Sequence, residues 1–246
     1  MFKTKLLTEV EKYNLLKCPC LAISSYSQAY EYVSELIKSK RGGYTAAINA
    51  LKILQYRKDK QTKEIIDNAI LQTPDGFGAL ISFKWLHKIK VIKLDLPGLV
   101  LDISNNTSLR VFLLGASEEN NLAAVNGIAN LYPNIIVAGR QNGFFNNLNM
   151  VVHAIQNAKP DLVLIAMGSP KQEILSAELL KNFPETLFIG CGGRLDILAG
   201  KLKRAPNWYI KNNLEWFYRL WKQPKRIKQQ IFLFKFLIIL IVKKMF

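Results

Sequence analysis

The stretch PDLVLIAMGSPKQE, residues 160–173, decides the fold of this chain. After its opening proline it continues as the apolar run LVLIAM and then breaks at Gly168, Ser169 and Pro170. An apolar run this short, bounded by turn residues, is typical of a buried strand in a parallel sheet. Because Lys171 then opens a predicted helix, polar side chains are expected at the carboxyl end of a core strand. Open α/β sheets bind ligands at that edge.

Similar units of strand and helix lie on both sides of this stretch. Strands are predicted at 44–49, 110–115, 134–139 and 186–193, and helices at 27–40, 50–56, 63–71, 83–90, 117–131, 147–158 and 171–182. Strands separated by helices of this length predict a parallel sheet with right-handed crossovers. The predicted fold class is therefore α/β, a Rossmann-like parallel-sheet sandwich, with residues 1–199 as the catalytic core.

The composition is that of a folded protein with a sizeable core. The chain has 246 residues, of which 50% are hydrophobic. That length and apolar content suffice for one α/β domain with an extension. Three cysteines give neither a disulfide framework nor a zinc pattern, and Cys191, in an apolar run, is expected to be a buried thiol. No export signal is visible at the amino terminus, so a reducing cytoplasm is expected.

The charge is concentrated at the carboxyl terminus. The whole chain carries 34 Lys and Arg against 18 Asp and Glu, a net charge of +16. Residues 200–246 contain twelve Lys and Arg and a single acid, Glu215. A region of this kind attracts phosphate-rich surfaces such as anionic lipid, nucleotide or nucleic acid.

The same region ends in IFLFKFLIILIV, residues 231–242. As a helix it would be about 18 Å long, too short to cross roughly 30 Å of hydrocarbon. Its lysine flanks favour a helix lying on a membrane surface, with Lys235 extending toward water. The alternative is a terminal helix docked on the core or on a partner. Because apolar residues cover nearly the whole circumference, one docking groove would hide only part of them. Residues 200–246 are thus predicted to be a helical, membrane-associating appendage.

Three further turns in the sequence invite more than one interpretation. Gly115 follows a strand and precedes a helix, where backbone amides could hold an anion, although simple chain reversal explains it too. Gly192 and Gly193 end a strand, where either a sharp turn or a close ligand is expected. Asp75 precedes Gly76, and turn statistics alone favour an ordinary turn.

A series of short motifs runs through the chain in a fixed order. They are DG at 75–76, LPG at 96–98, VFLLG at 111–115, YPN at 132–134, PDLVLIAMGSPKQE at 160–173, GGRLDILAG at 192–200, RAP at 204–206, and LEWFYRL at 214–220 with PKR at 224–226. Each is weak alone, but together they resemble the WecG/TagA/CpsF family, glycosyltransferase family 26. The likeness runs from about residue 46 to residue 226.

The resemblance implies an inverting glycosyltransferase that needs no essential metal and no other cofactor. Such an enzyme moves an N-acetylmannosamine-type sugar, ManNAc or its uronic acid, from a UDP donor to a polyprenyl-diphosphate-linked GlcNAc acceptor. It would work as a peripheral protein at the cytoplasmic face of the membrane, in teichoic acid, capsule or related polysaccharide synthesis. The shared motifs do not select among these polymers, and they leave a homo-oligomer open.

The resemblance also implies roles for single residues, in one in-line displacement. Asp75 is the candidate base that takes the proton from the acceptor hydroxyl. Gln172 is expected to position the sugar or the diphosphate, and Asn49 matches an asparagine near the family's active site. Two residues earlier the family often has threonine where this chain has Ala47. Any contact made by that hydroxyl must be absent or supplied otherwise, and Thr45 points the same way along the strand.

The remaining candidates are expected to bind the donor. No Asp-X-Asp pair is present to hold a divalent ion on the diphosphate, and arginines can neutralise the departing UDP instead. The candidate substrate-binding residues are Arg204, Arg219, Arg226, Gly115, Gly168, Lys171, Gly192 and Gly193.

Two other classes of protein fit parts of the sequence. A nucleic-acid-binding protein would explain the positive charge, but it predicts basic residues interleaved with aromatic ones on a folded face. Here the densest basic region flanks an apolar segment, so nucleic acid is not the expected partner. A dinucleotide-dependent oxidoreductase fits the fold class, but the glycine fingerprint and its acidic ribose partner are missing.

Overall fold

A six-stranded parallel sheet forms the centre of the molecule. The computed structural model describes residues 10–202, 205–206, 208–209, 217–218, 220 and 227–245. The strands of the sheet are β3 (Gly43–Ile48), β4 (Leu71–Pro74), β5 (Arg110–Gly115), β6 (Ile136–Gln141), β7 (Leu162–Ala166) and β8 (Leu187–Gly190). Their order across the sheet is β4-β3-β8-β7-β5-β6, and all five pairings are parallel. The predicted Rossmann-like α/β class is confirmed.

The strand from the fold-deciding stretch lies inside the sheet. β7 pairs with β5 on one side and with β8 on the other. Its first four residues, 162–165, have no exposed surface. Both faces of the strand are covered by helices, which is why its sequence is continuously apolar instead of alternating.

Helices cover both faces of the sheet. They are α1 (Tyr26–Lys38), α2 (Ala50–Tyr56), α3 (Lys60–Asp67), α4 (Gly76–Ser82), α5 (Leu96–Thr107), α6 (Glu118–Leu131), α7 (Leu148–Ala158), α8 (Lys171–Leu180), α9 (Arg194–Leu198) and α10 (Ile227–Met245). One core is shared by α2, α3, α4, α7, α8 and α10, and the other by α1, α5, α6 and α9. The neighbouring strands β5 and β7 therefore lead into helices on opposite faces. Such a switch of direction opens a crevice at the carboxyl edge.

A small antiparallel hairpin precedes the sheet. It consists of β1 (Lys12–Leu15) and β2 (Cys18–Leu21), and β2 packs beside β4. All three cysteines are buried and free. The predicted burial of Cys191 is confirmed, and this burial raises the pKa of its thiol to about 12.

One predicted helix ends earlier than expected. The helix predicted at 63–71 ends at Asp67, and Leu71 already belongs to β4. The buried side chain of Gln72 donates hydrogen bonds of 2.8 and 2.7 Å to two backbone carbonyls of the preceding turn. Those bonds fix the turn that leads from α3 into β4.

The turn predicted at Asp75 and Gly76 is wrong. Asp75 has the extended backbone of a helix N-cap, and α4 begins at Gly76. The helix predicted at 83–90 is the continuation of α4 as a π-helical turn, Phe83–His87, which ends when Lys88 adopts a left-handed conformation with φ 58°. Aspartate suits both turns and helix N-caps, so the dipeptide alone could not decide between them.

The carboxyl-terminal helix docks on the core with one face only. α10 packs against α2 and α4. Its buried side chains are Leu233, Phe236 and Leu240, while its exposed apolar ones are Phe232, Phe234, Ile238, Ile241 and Val242. The helix is therefore docked on the core, the alternative to a helix lying only on a membrane surface, and the docking hides part of its apolar surface. Its association with a membrane stays a prediction. Among the described helices, none combines the length and apolar content needed to span a bilayer. The apolar spacing of residues 207–223 also predicts an amphipathic helix, but this segment lies largely outside the described residues.

Candidate active site at the carboxyl edge of the sheet

The carboxyl edge gathers most of the candidate site residues, because parallel strands all end at the same edge. These residues are Asn49 after β3, Asp75 after β4, Gly115 at the end of β5, Gly168 and Lys171 after β7, Gln172 in α8, and Gly192 and Gly193 after β8. From β4 to β5 the edge spans four strand spacings, roughly 19 Å. The tail candidates Arg204, Arg219 and Arg226 lie outside the described residues.

Asp75 and Asn49 leave adjacent strands side by side. The backbone N–H of Asp75 donates to the Ile48 carbonyl at 2.8 Å, which extends the β3–β4 ladder by one residue. Although Asp75 is the N-cap residue of α4, its side chain makes no capping hydrogen bond. Within the described part of the chain its carboxylate has no hydrogen-bond or ion-pair partner. Both oxygens are therefore available to a ligand.

The space next to Asp75 is open. Gly76 has φ +72°, and a Cβ added there would meet no described atom within 4 Å. A residue with a side chain would be strained in this conformation. The glycine therefore turns the backbone away from the half-buried Asp75 and leaves room beside its carboxylate.

The side-chain oxygen of Asn49 caps a helix, whereas its side-chain nitrogen is open to the site. Its Oδ1 accepts from the backbone N–H of Lys52 at 3.0 Å and so caps α2. Its Nδ2 has no partner among the described residues and remains as a donor at the edge. Ala47 is half-buried in β3, and Thr45 is only 4% exposed two residues before it. The Thr45 hydroxyl is thus inside the sheet and does not replace the missing one at the edge.

Gln172 is buried instead of lining an open surface. Only 6% of the residue is exposed. Its Oε1 accepts from the backbone N–H of Gly192 at 3.3 Å, and its Nε2 lies 3.4 Å from Glu173 Oε1. A Cβ added at Gly190 would lie 2.3 Å from Gln172 Nε2. The side chain therefore connects the start of α8 to the turn that follows β8.

A buried ion pair continues this network, and sequence analysis missed it. Lys52 Nζ lies 2.6 Å from Glu173 Oε1, and the two side chains are 8% and 1% exposed. The second oxygen of Glu173 is buried without a partner in the described structure. Lys52 is in α2 and Glu173 in α8, so the pair joins the helices that follow β3 and β7. The available signal was a lysine inside the apolar helical pattern ALKIL.

Two glycines lie at the crevice between β5 and β7. One is in close contact with the neighbouring strand, and the other has open space beside it. Gly115 has φ +110°, and an added Cβ would lie 2.4 Å from the carbonyl oxygen of Ala166. This glycine is required for close contact between strands. Gly168 has φ +73° and no described atom within 4 Å of an added Cβ. Lys171 is exposed and has no partner in the described structure. It begins α8, whose N-terminus has no side-chain cap.

An ion pair with α5, on the face of the sheet opposite to α8, holds the turn after β8 in place. Gly192, with φ +52°, again has open space around it. Arg194 Nη1 lies 2.8 Å from Asp95 Oδ2, and Asp95 caps the N-terminus of α5. The pair ties the GGR sequence to α5, a contact that no motif predicted. Within the described ranges, no group of three or more His, Cys, Asp or Glu side chains is placed to hold a metal ion.

A second polar cluster lies at the far end of the same edge. Arg140 Nη2 lies 2.6 Å from Glu118 Oε1, and Asn142 Nδ2 donates to Glu118 Oε2 at 2.8 Å. The hydrogen bond from Arg140, followed by that from Asn142, lowers the pKa of Glu118. Beside it, Lys201 pairs with Glu119 at 2.5 Å. These contacts are exposed, and the sequence analysis did not find them.

Comparison with known proteins agrees with this architecture. The model of the Glycosyl transferase WecG/TagA/CpsF family matches residues 13–246. Two similar curated proteins are each an N-acetylglucosaminyldiphosphoundecaprenol N-acetyl-beta-D-mannosaminyltransferase. The protein from Bacillus subtilis strain 168 is 32% identical over 198 residues, which cover 79% of this chain and 77% of the relative. The protein from Bacillus spizizenii is 27% identical over 212 residues, which cover 83% and 82%. Since the family match includes every strand of the sheet and the whole carboxyl edge, this chain is a glycosyltransferase of the WecG/TagA/CpsF family.

Proposed function

We propose that the chain transfers an N-acetylmannosamine-type sugar from UDP to a polyprenyl-diphosphate-linked GlcNAc, in the assembly of teichoic acid or another cell-surface polysaccharide. The observation that carries the proposal is the unpartnered carboxylate of Asp75 beside Asn49 at the carboxyl edge. The two curated relatives are named for transfer of N-acetyl-beta-D-mannosamine to N-acetylglucosaminyldiphosphoundecaprenol, which supports the same substrate classes here.

The reaction is a single in-line displacement. Asp75 accepts the proton of the acceptor hydroxyl, and that oxygen attacks the anomeric carbon of the donor sugar. The new glycosidic bond forms as the bond from the anomeric carbon to the UDP oxygen breaks, so the configuration inverts. UDP leaves with both electrons of the broken bond. The open space beside Gly76 accommodates the acceptor sugar at the base.

The departing diphosphate is neutralised by the protein in this proposal. Phosphate oxygens bind in a positively charged site. It consists of the uncapped N-terminus of α8, the open space beside Gly168 and the exposed Lys171. Arginines 204, 219 and 226 of the basic tail add charge over the same diphosphate. No divalent ion is then required.

Asn49 and Gln172 have different roles in this proposal. The Nδ2 group of Asn49 donates to a substrate oxygen next to Asp75, because its Oδ1 is already used to cap α2. Gln172 is a positioning residue. It holds the Gly192 turn through a backbone N–H at 3.3 Å, and that turn carries the Gly192–Gly193 surface on which the substrate rests.

Residues 200–246 are proposed to act as an appendage that holds the enzyme on the cytoplasmic face of the membrane. The exposed face of α10 carries Phe234, Ile238 and Ile241, which are 59%, 62% and 44% exposed. Lysines 243 and 244 lie exposed at the end of the helix, where they can meet anionic headgroups. A peripheral position of this kind brings the carboxyl edge to a lipid-linked acceptor.

The proposal is tested with purified protein, a panel of UDP-sugars and a short-chain lipid-linked GlcNAc acceptor. UDP-N-acetylmannosamine or its uronic acid is expected to give product. Asp75→Asn is expected to lower kcat by about 100- to 10,000-fold, the usual contribution of a general base. Its melting temperature should stay close to that of the wild type, because the carboxylate neither caps nor pairs.

Asp161→Asn is the matched control. Asp161 lies before β7, at the opposite edge of the sheet, and accepts from the Arg110 backbone N–H at 2.8 Å. Asparagine can accept the same bond, so transfer should be unchanged. If Asp75→Asn retained near-normal transfer, another group would be the base.

A further inference from the structure

A groove of about 730 Å³ runs along α4 from the carboxyl edge. The apolar side chains that line it are Phe77, Leu80, Ile81, Ile89 and Val91. Its cationic side chains are Lys84, Lys88 and Lys90. The first lining residue, Phe77, lies in the first turn of α4, two positions after the proposed catalytic base Asp75.

The shape of the groove follows from the helix and the reversal after it. Phe77, Ile81 and Lys84 recur at helical spacing and share one side of the element, over about 10 Å. The left-handed Lys88 then reverses the chain. The backbone N–H of Ile89 donates to a carbonyl of the π-helical turn, that of Phe83, at 3.2 Å. This bond holds residues 89–91 in place as the second wall of the groove.

The charge of this region has one sign. Residues 76–94 contain four lysines and no acidic residue. The three lysines of the rim are exposed, and none of their ammonium groups has a hydrogen-bond or ion-pair partner among the described residues. Lys244 of α10 lies 5.0 Å over the ring of Trp85, so the end of the proposed membrane-binding helix is next to the groove. An apolar floor with a cationic rim fits an anionic amphiphile.

The chain's own tail fits this rim poorly. Residues 203–226 contain seven Lys and Arg and one acid, so their charge has the same sign as the rim. The volume also lies in the range of small-ligand pockets, about 300–1,000 Å³. Both arguments favour a small anionic lipid over a protein segment.

We infer that this groove holds the isoprenoid chain of the lipid-linked acceptor next to its diphosphate, with the lysine rim facing the phosphates. The inference rests on the proposed function and adds to it where the acceptor binds. A chain seated along α4 presents the sugar at the N-terminus of that helix, where Asp75 lies. The enzyme therefore selects its acceptor partly by the lipid.

The experiment compares two acceptors that share the sugar and the diphosphate. One has a long polyprenyl chain and the other a short, water-soluble alkyl chain. Wild-type enzyme is expected to have the lower KM for the long-chain acceptor. Leu80→Gln and Ile81→Gln are each expected to reduce this preference about tenfold, which corresponds to a loss of about 1.4 kcal/mol of apolar burial. Leu131→Gln, at a site 66% exposed at the end of α6, is the matched control and should leave the preference unchanged.

A second readout does not depend on turnover. A photoreactive polyprenyl diphosphate is cross-linked to the full chain, and the labelled peptides are mapped by mass spectrometry. Labelling within residues 77–91 that excess unlabelled polyprenyl diphosphate prevents is expected, and Lys84→Gln with Lys88→Gln should weaken it. Failure of the wild type to glycosylate either acceptor would count against the proposed function. The labelled position tests whether polyprenyl diphosphate binds in the groove, independently of turnover.

Three results would overturn the inference. The first is a wild-type enzyme without preference for the long chain, or groove variants that weaken both acceptors equally. The second is labelling confined to α10 or to segments outside the groove. The third is a Lys84→Gln variant that binds less to vesicles of anionic lipid but keeps its KM for the acceptor. That result would mean that the lysine rim binds the headgroups of membrane lipids and not the acceptor.

Discussion

The two ends of the carboxyl edge each contain an ion pair, but one pair is buried and the other is exposed to solvent. Near β3 and β7, Lys52 and Glu173 form an ion pair whose side chains are 8% and 1% exposed. Near β5 and β6, Arg140 and Glu118 form one whose side chains are 30% and 57% exposed. Both pairs have a shortest distance of 2.6 Å. Distance alone therefore does not tell what either pair contributes.

Burial decides the difference. A charge inside the protein cannot return to water when its partner is removed, so breaking a buried pair is costly even where forming it contributed little. An exposed pair exchanges its partner for water at small cost. The buried end also carries Asn49 and Gln172, whose positions proton transfer depends on. We therefore expect the structure to be rigid where the chemistry is proposed and adaptable at the other end.

The largest expected effect comes from breaking the buried pair. Lys52→Met leaves the Glu173 carboxylate buried and uncompensated, and should lower the free energy of unfolding by about 3–5 kcal/mol. Urea denaturation followed by circular dichroism measures the change. Lys52→Met combined with Glu173→Leu should recover most of the loss, because no isolated charge then remains.

The control for this variant is an exposed pair of the same kind. Lys63 lies 2.6 Å from Asp67, and the two side chains are 55% and 36% exposed. Lys63→Met should change the unfolding midpoint far less than Lys52→Met. Equal effects of the two variants would show that burial does not distinguish the pairs, and the comparison between the two ends of the edge would fail.

A smaller effect is expected from crowding Gln172. In Gly190→Ala the new methyl carbon would lie 2.3 Å from Gln172 Nε2, so the side chain must move and release the Gly192 N–H. We expect a loss of about 1–3 kcal/mol of stability, typical of an overpacked core, together with a lower kcat. Thermal unfolding and initial rates measure the two effects.

A double-mutant cycle tests the cause of that loss. If the contact with Gln172 is responsible, Gly190→Ala should cost less stability in a Gln172→Ala background than in the wild type. Gly193→Ala is the control for stability, because its added methyl would have only ordinary contacts at 3.9 Å. Additive losses in the cycle would place the strain elsewhere.

The sequence predicted five of the six strands of the sheet because their signal is local, but it missed β4, whose first residue was assigned to the preceding helix. Residues 162–166 are continuously apolar between a proline and a glycine, and the buried strand β7 is where that pattern indicates. The partial docking of α10 was also predictable, since twelve mostly apolar residues cover more of a helix than one groove can hide. In both cases the residues that decide the outcome are neighbours in the chain.

The buried network could not be predicted in the same way. Lys52 and Glu173 are 121 positions apart, and they meet only because β8 pairs with β3 on one side and with β7 on the other. A lysine in a helix is normally expected at the surface, so the apolar neighbours of Lys52 in ALKIL were too weak a signal to predict its burial. Asp75 shows the other limit, because its motif indicated a functional residue but not the helix that it begins.

The smallest expected effect concerns the exposed end of the edge and its dependence on pH. The hydrogen bond from Arg140 is the main cause that holds the pKa of Glu118 below its ordinary value of 4.5. Because the folded-state pKa is the lower one, the pair stabilises the protein above the ordinary value. That stabilisation is lost as the pH falls through the folded-state pKa.

Arg140→Leu should therefore raise the pKa of Glu118 only partly toward 4.5, because the bond from Asn142 remains as the second cause. An NMR titration of the Glu118 carboxyl carbon measures this shift, and Lys201→Met, which breaks the neighbouring pair with Glu119, is the control that should leave it unchanged. Since the pair is exposed, 1 M salt should remove most of the difference in stability between wild type and Arg140→Leu at neutral pH. A difference that survived in salt would mean that the pair is shielded from water, and the contrast between a rigid and an adaptable end of the edge would no longer hold.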